Sequence, residues 1–309
     1  MGIWQNRQAA RRGLALICAF VGTALPVLAL DDLTIQTPGA PDDVREAITG
    51  ASLLLQARRD RATSAQNLFA VARADYGRIL GVLYANGYYS GTIRIIIDGR
   101  EAASIPPLES PDQISRIAVI ATPGPLFRFA KTDIAPLSTQ TDLPEEFATG
   151  QPARAGVIVD AAREGVQGWR QQGHAKARIA DQSVVADHRA NQLDVDVQLD
   201  PGPRVRFGEM SMSGYERMNP RRLAKIAGFP TGEVFDPDEL DKVANRLRRT
   251  GVFQSVALRE ADELGPGNTL DVALIVDEEE LRRLGFGAEI ASLDGATLSA
   301  FWLHRNLLG

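Results

Sequence analysis

At 309 residues, with 44% hydrophobic and 24% charged side chains, the chain has room for two or three modules, each with its own core. That composition excludes collagen-like, mucin-like and disulfide-knotted classes. The formal charge of −5 argues against nucleic acid as a partner, because affinity for a phosphate backbone rests on clustered Lys and Arg.

The first 29 residues carry Arg7, Arg11 and Arg12 and no acid, and residues 13–30 carry no charge. The apolar centre, residues 14–25, suits the ~7–15-residue core of a secretory signal and falls short of the ~20 residues of a helical span. Pro26 breaks this run, and Val27-Leu28-Ala29 puts small or modest residues at the cleavage positions, so cleavage after Ala29 is expected. Losing three arginines from 34 basic residues leaves 31 against 39 acidic ones, a net of −8. The single cysteine, Cys18, departs with the signal, which excludes disulfides, thiolate metal sites and thiol catalysis from the mature chain. An uncleaved anchor is the alternative reading of this segment.

After it, periodicity predicts a first unit with a strand at 33–36, helices at 42–58 and 65–85, and strands at 92–98 and 114–121. A second unit follows, with strands at 126–134, 175–185 and 192–199. Its long helix, 155–172, lines up Val157, Ile158, Ala161, Ala162, Gly165 and Trp169 on one face. The third unit opens on a strand at 204–213 whose faces are mixed. Asn219-Pro220 then starts a helix that ends before Gly228, and Asp236-Pro237-Asp238-Glu239 starts another, with Leu240, Val243, Ala244 and Leu247 as its apolar stripe. Strands at 253–259 and 270–276 close the unit across Gly265-Pro266-Gly267-Asn268. The order read from all three units is β-α-α-β-β.

Two markers recur. Pro123-Gly124-Pro125-Leu126-Phe127-Arg128-Phe129 returns 78 residues later as Pro201-Gly202-Pro203-Arg204-Val205-Arg206-Phe207. Gly87, Gly173 and Gly251 each end a helical run before a strand, where a left-handed residue without a Cβ is favoured. Beyond the third unit, residues 284–290 and 296–303 read as two glycine-rich or alternating strands around Asp294-Gly295, as in a membrane barrel. A closed barrel needs at least ~8 strands, so the sequence is expected to be a truncated protein or fragment.

On these residues the chain resembles the POTRA modules of Omp85-type outer-membrane assembly proteins, most nearly the TamA branch, since three units rather than five disfavour BamA. The resemblance implies an α+β chain of three tandem POTRA modules, each a mixed three-stranded sheet with two helices, followed by the first strands of a transmembrane β-barrel. The divisions are a signal peptide over 1–29, modules over 30–122, 123–200 and 201–279, and a linker with the first barrel hairpin over 280–309. It also implies modules in the periplasm leading to the outer membrane and a function in outer-membrane protein assembly or autotransporter secretion. The implied partners are a TamB-like inner-membrane-anchored protein, unfolded client proteins, and outer-membrane lipid through the missing barrel, whose seam would involve residues 286–290. In such modules the middle strand of the sequence lies at the sheet edge, open to an added strand. We place that site on the third unit, at Phe253, Gln254, Ser255, Val256, Ala257, Leu258 and Arg259, nearest the membrane.

No cofactor, metal or catalytic site is expected. His174, His188 and His304 have no ligand spacing, and Gly285-Phe286-Gly287 lacks the third glycine and helix of a dinucleotide loop. There is no phosphate loop and no nucleophile elbow. Residues 277–280 read as a solvated acidic linker rather than a calcium loop, and Arg221, Arg222, Arg246, Arg248 and Arg249 as a solvated face. The rival classes are a periplasmic enzyme and an envelope scaffold that retains its N-terminal anchor.

Overall fold

The computed structural model describes residues 32–60, 64–280, 282–291 and 295–304; the predicted signal and its cleavage point at Ala29 lie outside them. Unit 1 runs β1 (Asp32–Gln36), α1 (Asp42–Ala51), α2 (Leu53–Arg59), α3 (Ala65–Ala85), β2 (Thr92–Ile97), β3 (Arg100–Glu101) and β4 (Arg116–Thr122). β4 is flanked by β1 in parallel and β2 in antiparallel, and β3 adds to the outside of β2. The helix expected over 42–58 is interrupted at Ser52. There the buried Asp75 carboxylate of α3 accepts from Ser52 Oγ (2.8 Å), Leu53 N–H (2.7 Å) and Leu54 N–H (3.1 Å), so the start of α2 is capped from another helix.

Unit 2 comprises β5 (Arg128–Ala135), α4 (Ala155–Gln171), β6 (Arg178–Asp187) and β7 (Gln192–Asp200), in the sheet order β5-β7-β6. Turns between Leu137 and Gln151 occupy the place of its first helix. Unit 3 has both helices: β8 (Arg206–Ser213), α5 (Pro220–Ala227), α6 (Pro237–Arg248), β9 (Phe253–Glu260) and β10 (Thr269–Glu278), ordered β8-β10-β9. Asn219 and Asp236 cap the two helices as their sequences predict. In each unit the last strand is central, and its alternate residues form the core floor: Ile117 and Val119; Leu193, Val195 and Val197; Leu270, Val272, Leu274 and Val276.

The two recurring markers meet at the joints. Gly87 and Gly173 have positive φ, and the Gly87 carbonyl accepts from Phe127 N–H (2.9 Å) as the Gly173 carbonyl accepts from Val205 N–H (2.8 Å). The carbonyls of Phe127 and Val205 in turn accept from Ala153 N–H (2.9 Å) and Phe235 N–H (3.1 Å). Units 2 and 3 therefore each begin by hydrogen-bonding to the glycine that follows the long helix of the unit before.

After β10, β11 (Arg282–Ala291) and β12 (Gly295–His304) pair antiparallel as a separate two-stranded sheet. Among the described residues no closed barrel sheet follows, and no helix is long and apolar enough to cross a membrane. Opposed pairs Leu284–Trp302, Phe286–Ala300 and Ala288–Leu298 share one face, while Gly285–Phe301 and Gly287–Ser299 share the other. A Cβ at Gly285 would meet the Phe301 ring, so that glycine lets the aromatic ring fold across the strand.

The acidic run after the third unit is not all linker. Glu278 ends β10 with only 6% of its side chain exposed, and it accepts from the N–H groups of Glu216, Arg217 and Met218 and from Arg217 Nε (2.9 Å). Burial opposes its charge, but these donors outweigh burial and hold its carboxyl below the usual carboxylate range. A depressed folded value means stability that is present above the unfolded value and lost as pH falls through the folded one. Glu278→Gln is therefore expected to cost unit 3 about 2 kcal/mol at neutral pH. It should also flatten the decline in urea-melt stability that the parent shows below pH ~4.3; an unchanged acid limb would contradict this assignment.

Candidate functional site

The free sheet edges differ in how much of their backbone is already engaged. On unit 1, β3 pairs with Ile96 and Ile97, and Ile95 N–H donates to Glu101 Oε1 (3.0 Å) and to the Tyr76 hydroxyl (3.2 Å). Tyr76 also donates to Glu101. Burial and that carboxylate push the Tyr76 phenol up, while Glu101, despite burial, is held down by Tyr76, Ile95 N–H and Arg94. This edge is closed over most of its length.

On unit 3, the expected strand is present as β9, and it does lie at the edge. Its pattern departs from strict alternation: the pairing slips between Ser255 and Phe253, so Gln254 is extra and both Phe253 (8% exposed) and Val256 (7%) turn inward. Ala261 N–H donates to the Asp271 carbonyl, so by alternation Ser255, Ala257 and Arg259 bond to β10. Val256, Leu258 and Glu260 then direct their backbone groups outward. The Val256 carbonyl accepts from Arg248 (3.1 Å), and Glu260 is held by Arg170 of α4 (2.5 Å), whose guanidinium lies 5.2 Å from the centre of the Phe235 ring. Lys176 donates to the Ala261 carbonyl (2.6 Å). The C-terminal end of β9 is thus tied to unit 2, the Val256 carbonyl is taken by Arg248, and the outward groups at Leu258 stay open among the described residues. Arg246, expected on a solvated face, instead donates to the Ala227 and Gly228 carbonyls at the end of α5.

On unit 2, β6 has nine of ten residues exposed, including Ile179, Val184 and Val185. Arg128 N–H donates to the Asn191 carbonyl, so the odd-numbered residues of β7 face β5 and its even-numbered ones face β6. In the pairing of 181–187 with 192–198, Asp181, Ser183, Val185 and Asp187 then bond to β7, while Gln182, Val184 and Ala186 point backbone groups to the open edge. Beside that edge lies a cavity of about 410 Å³, walled by Ile158 and Val159 of α4, Val184, Leu193, and Tyr84 and Tyr89 of unit 1. The two tyrosine rings stack at 4.8 Å, and Tyr89 meets Phe127 edge-on at 5.5 Å. Burial, and secondly Tyr84, push the Tyr89 phenol up to about 12.

Among the described residues no group of His, Cys, Asp and Glu could hold a metal ion. His174 and His188 serve the joints: their Nδ1 atoms lie 2.9 Å from the Gly202 carbonyl and the Ser90 hydroxyl.

The family described as POTRA, surface antigen variable number repeat, matches residues 205–279. That match covers the third unit, from β8 to β10. The fold of the whole arm agrees: BamA POTRA3-5 from Haemophilus influenzae aligns over 81% of this chain and 96% of its own, at 15% identity and a TM-score of 0.55. Haemophilus ducreyi BamA lacking POTRA domains 1–3 aligns over 59% of this chain and 35% of its own (16% identity, TM-score 0.46). CdiB from Escherichia coli aligns over 60% and 34% (16%, 0.32). Only the first is close enough to speak for the fold, and it makes all three units POTRA-like. No curated protein matches the chain in sequence.

Proposed function

We propose that this chain is the periplasmic arm of an Omp85-superfamily outer-membrane assembly factor of the TamA branch, and that it works by binding rather than catalysis. The signal is removed after Ala29, the three POTRA units stand in the periplasm, and β11–β12 enters the outer membrane. Extended client segments add to β9 on their way to the barrel, and a TamB-like, inner-membrane-anchored protein is the standing partner. The observation that carries this reading is the open outer edge of β9 on the unit that leads directly into a hairpin with one apolar face. The three-unit count favours the TamA branch.

The ladder directions decide the test. Leu258→Pro removes a donor that faces outward and spares the bonds to β10, whereas Ser255→Pro deletes a ladder bond and tests folding instead. Client or partner crosslinking to Leu258→Pro is expected to fall at least tenfold relative to Leu258→Ala, with an unchanged circular dichroism spectrum. A folded proline variant that crosslinks at the level of the alanine variant rules this edge out.

A further inference from the structure

The end of unit 3 from which the chain passes into β11 carries cations that the fold itself does not use. Two segments meet there. The 214–218 loop lies against the end of β10, where the Glu278 carboxylate accepts from the N–H groups of Glu216, Arg217 and Met218, and α5 starts directly after it. The C-terminus of α6 reaches the same end through Thr250 and Gly251, because Phe253 pairs with Glu278 and Glu279 N–H donates to the Val252 carbonyl. Residues 217–225 contain Arg217, Arg221, Arg222 and Lys225, residues 247–253 contain Arg248 and Arg249, and neither stretch holds an acid.

Three facts set this group apart from an ordinary solvated face. Without its signal the chain has 31 basic against 39 acidic residues, so cations gathered at one end run against its overall charge. The first turn of α5 holds Arg221 and Arg222 and no acid, at the helix end where the dipole disfavours cations, whereas α6 starts on Asp238 and Glu239. Arg217 is paired with Glu278 and Arg248 with the Val256 carbonyl, but Arg221, Lys225 and Arg249 are exposed, and among the described residues no hydrogen bond or ion pair ties their side chains. The nearest acids, Glu278, Glu279 and Glu280, lie on the exit strand, and Glu278 is already engaged by its donors.

We infer that this end of unit 3 is a basic collar that docks on the anionic headgroup phosphates of the membrane the hairpin enters. The inference rests on the reading of β11–β12 as a membrane hairpin. From Glu278 to Leu284, the first residue of the hairpin's apolar face, the chain spans at most ~20 Å. Headgroups extend ~5–8 Å beyond the hydrocarbon, and an exposed charge acts over a Debye length of ~8–10 Å, so the collar lies within reach of them. The arginine fork matches a phosphate bidentately. Docked in this way, the collar holds unit 3 at a fixed height and tilt above the bilayer.

The test is flotation of the exported chain, residues 30–309, with vesicles of phosphatidylcholine alone or with about one-third phosphatidylglycerol. Each Lys or Arg beside an anionic surface contributes about fivefold to binding. Arg221→Gln with Lys225→Gln and Arg249→Gln is therefore expected to weaken binding to the anionic vesicles at least tenfold, with neutral vesicles and the circular dichroism spectrum unaffected. The same three changes at Arg59, Arg78 and Arg100, exposed on unit 1, should cost less than twofold. Equal binding of the parent to both vesicles, or no loss in the collar variant, overturns the inference and leaves these cations to an acidic protein. An equal loss in the unit 1 variant reduces the effect to overall charge, and displacement by inorganic phosphate but not by chloride of the same ionic strength assigns it to a free anion; either overturns the inference. Phe286→Ser with Leu298→Ser separates the two readings. If it abolishes binding to neutral vesicles while the collar variant changes nothing, the hairpin stands and the collar falls. If only the collar variant loses binding, the collar stands and the membrane hairpin falls.

Discussion

Asp75→Ala is expected to destabilise unit 1 by about 3 kcal/mol, because the removed carboxylate is fully buried and accepts three hydrogen bonds that nothing else nearby can take. Ser52 is 1% exposed, so its hydroxyl cannot turn to water, and the first N–H groups of α2 become orphans at a helix start. Asp75→Asn keeps an acceptor oxygen and should lose less than half as much. The measurement is amide hydrogen exchange across α1, α2 and α3, which separates unit 1 from the other two where a global melt would blend them. Loss of less than about 1 kcal/mol in the alanine variant would mean that the 52–54 turn relaxes onto other acceptors.

The second large effect concerns the hairpin. A chain ending at Glu279 is expected to be monomeric without detergent, and one that continues through β12 to self-associate or to require detergent. Leu284, Phe286, Leu298 and Trp302 are 61–85% exposed on a single face, and both strands present an open edge. Each such side chain, when covered, is worth about 1.5–3 kcal/mol, so two of them suffice to drive association. Phe286→Asp with Leu298→Asp should restore the monomer by light scattering without altering the POTRA units. If the longer chain is as monomeric as the shorter one, the apolar face is not a membrane face.

What could be read from the sequence was whatever local rules dictate. Glycines after helices, Asn219 and Asp236 before them, and the apolar stripe of α6 each act within a turn or two, and the structure places them as expected. The features that escaped depend on contacts across the fold. Ser52 breaks a helix because of a carboxylate 23 residues away. The bulge at Gln254 follows from pairing with β10, so no alternation rule could put Phe253 and Val256 on one side. Residues 136–154 carry Pro136, Pro144 and Pro152 and no helical stripe, which is reason enough for turns where a repeat of the unit order suggests a helix. One missed signal was visible: Thr149-Gly150 and Thr231-Gly232 both introduce a segment that pairs with the opening strand, Pro152 opposite Arg128 and Val234 opposite Arg206. The seam cavity was out of reach, since Tyr84, Ile158 and Val184 come together only after two units have docked.

The joints have a consequence for how such an arm changes over generations. Both contain the same main-chain bond, from the N–H of the second residue after Pro-Gly-Pro, Phe127 or Val205, to the carbonyl of a positive-φ glycine, Gly87 or Gly173. The main-chain part of this coupling does not have to be reinvented when a neighbour is exchanged, whereas the side-chain contacts across each joint, such as Arg170 with Glu260 and Ser90 with His188, do. Units can be duplicated, lost or shuffled as cassettes on that shared main-chain link, with side-chain adjustment needed only where neighbouring units touch.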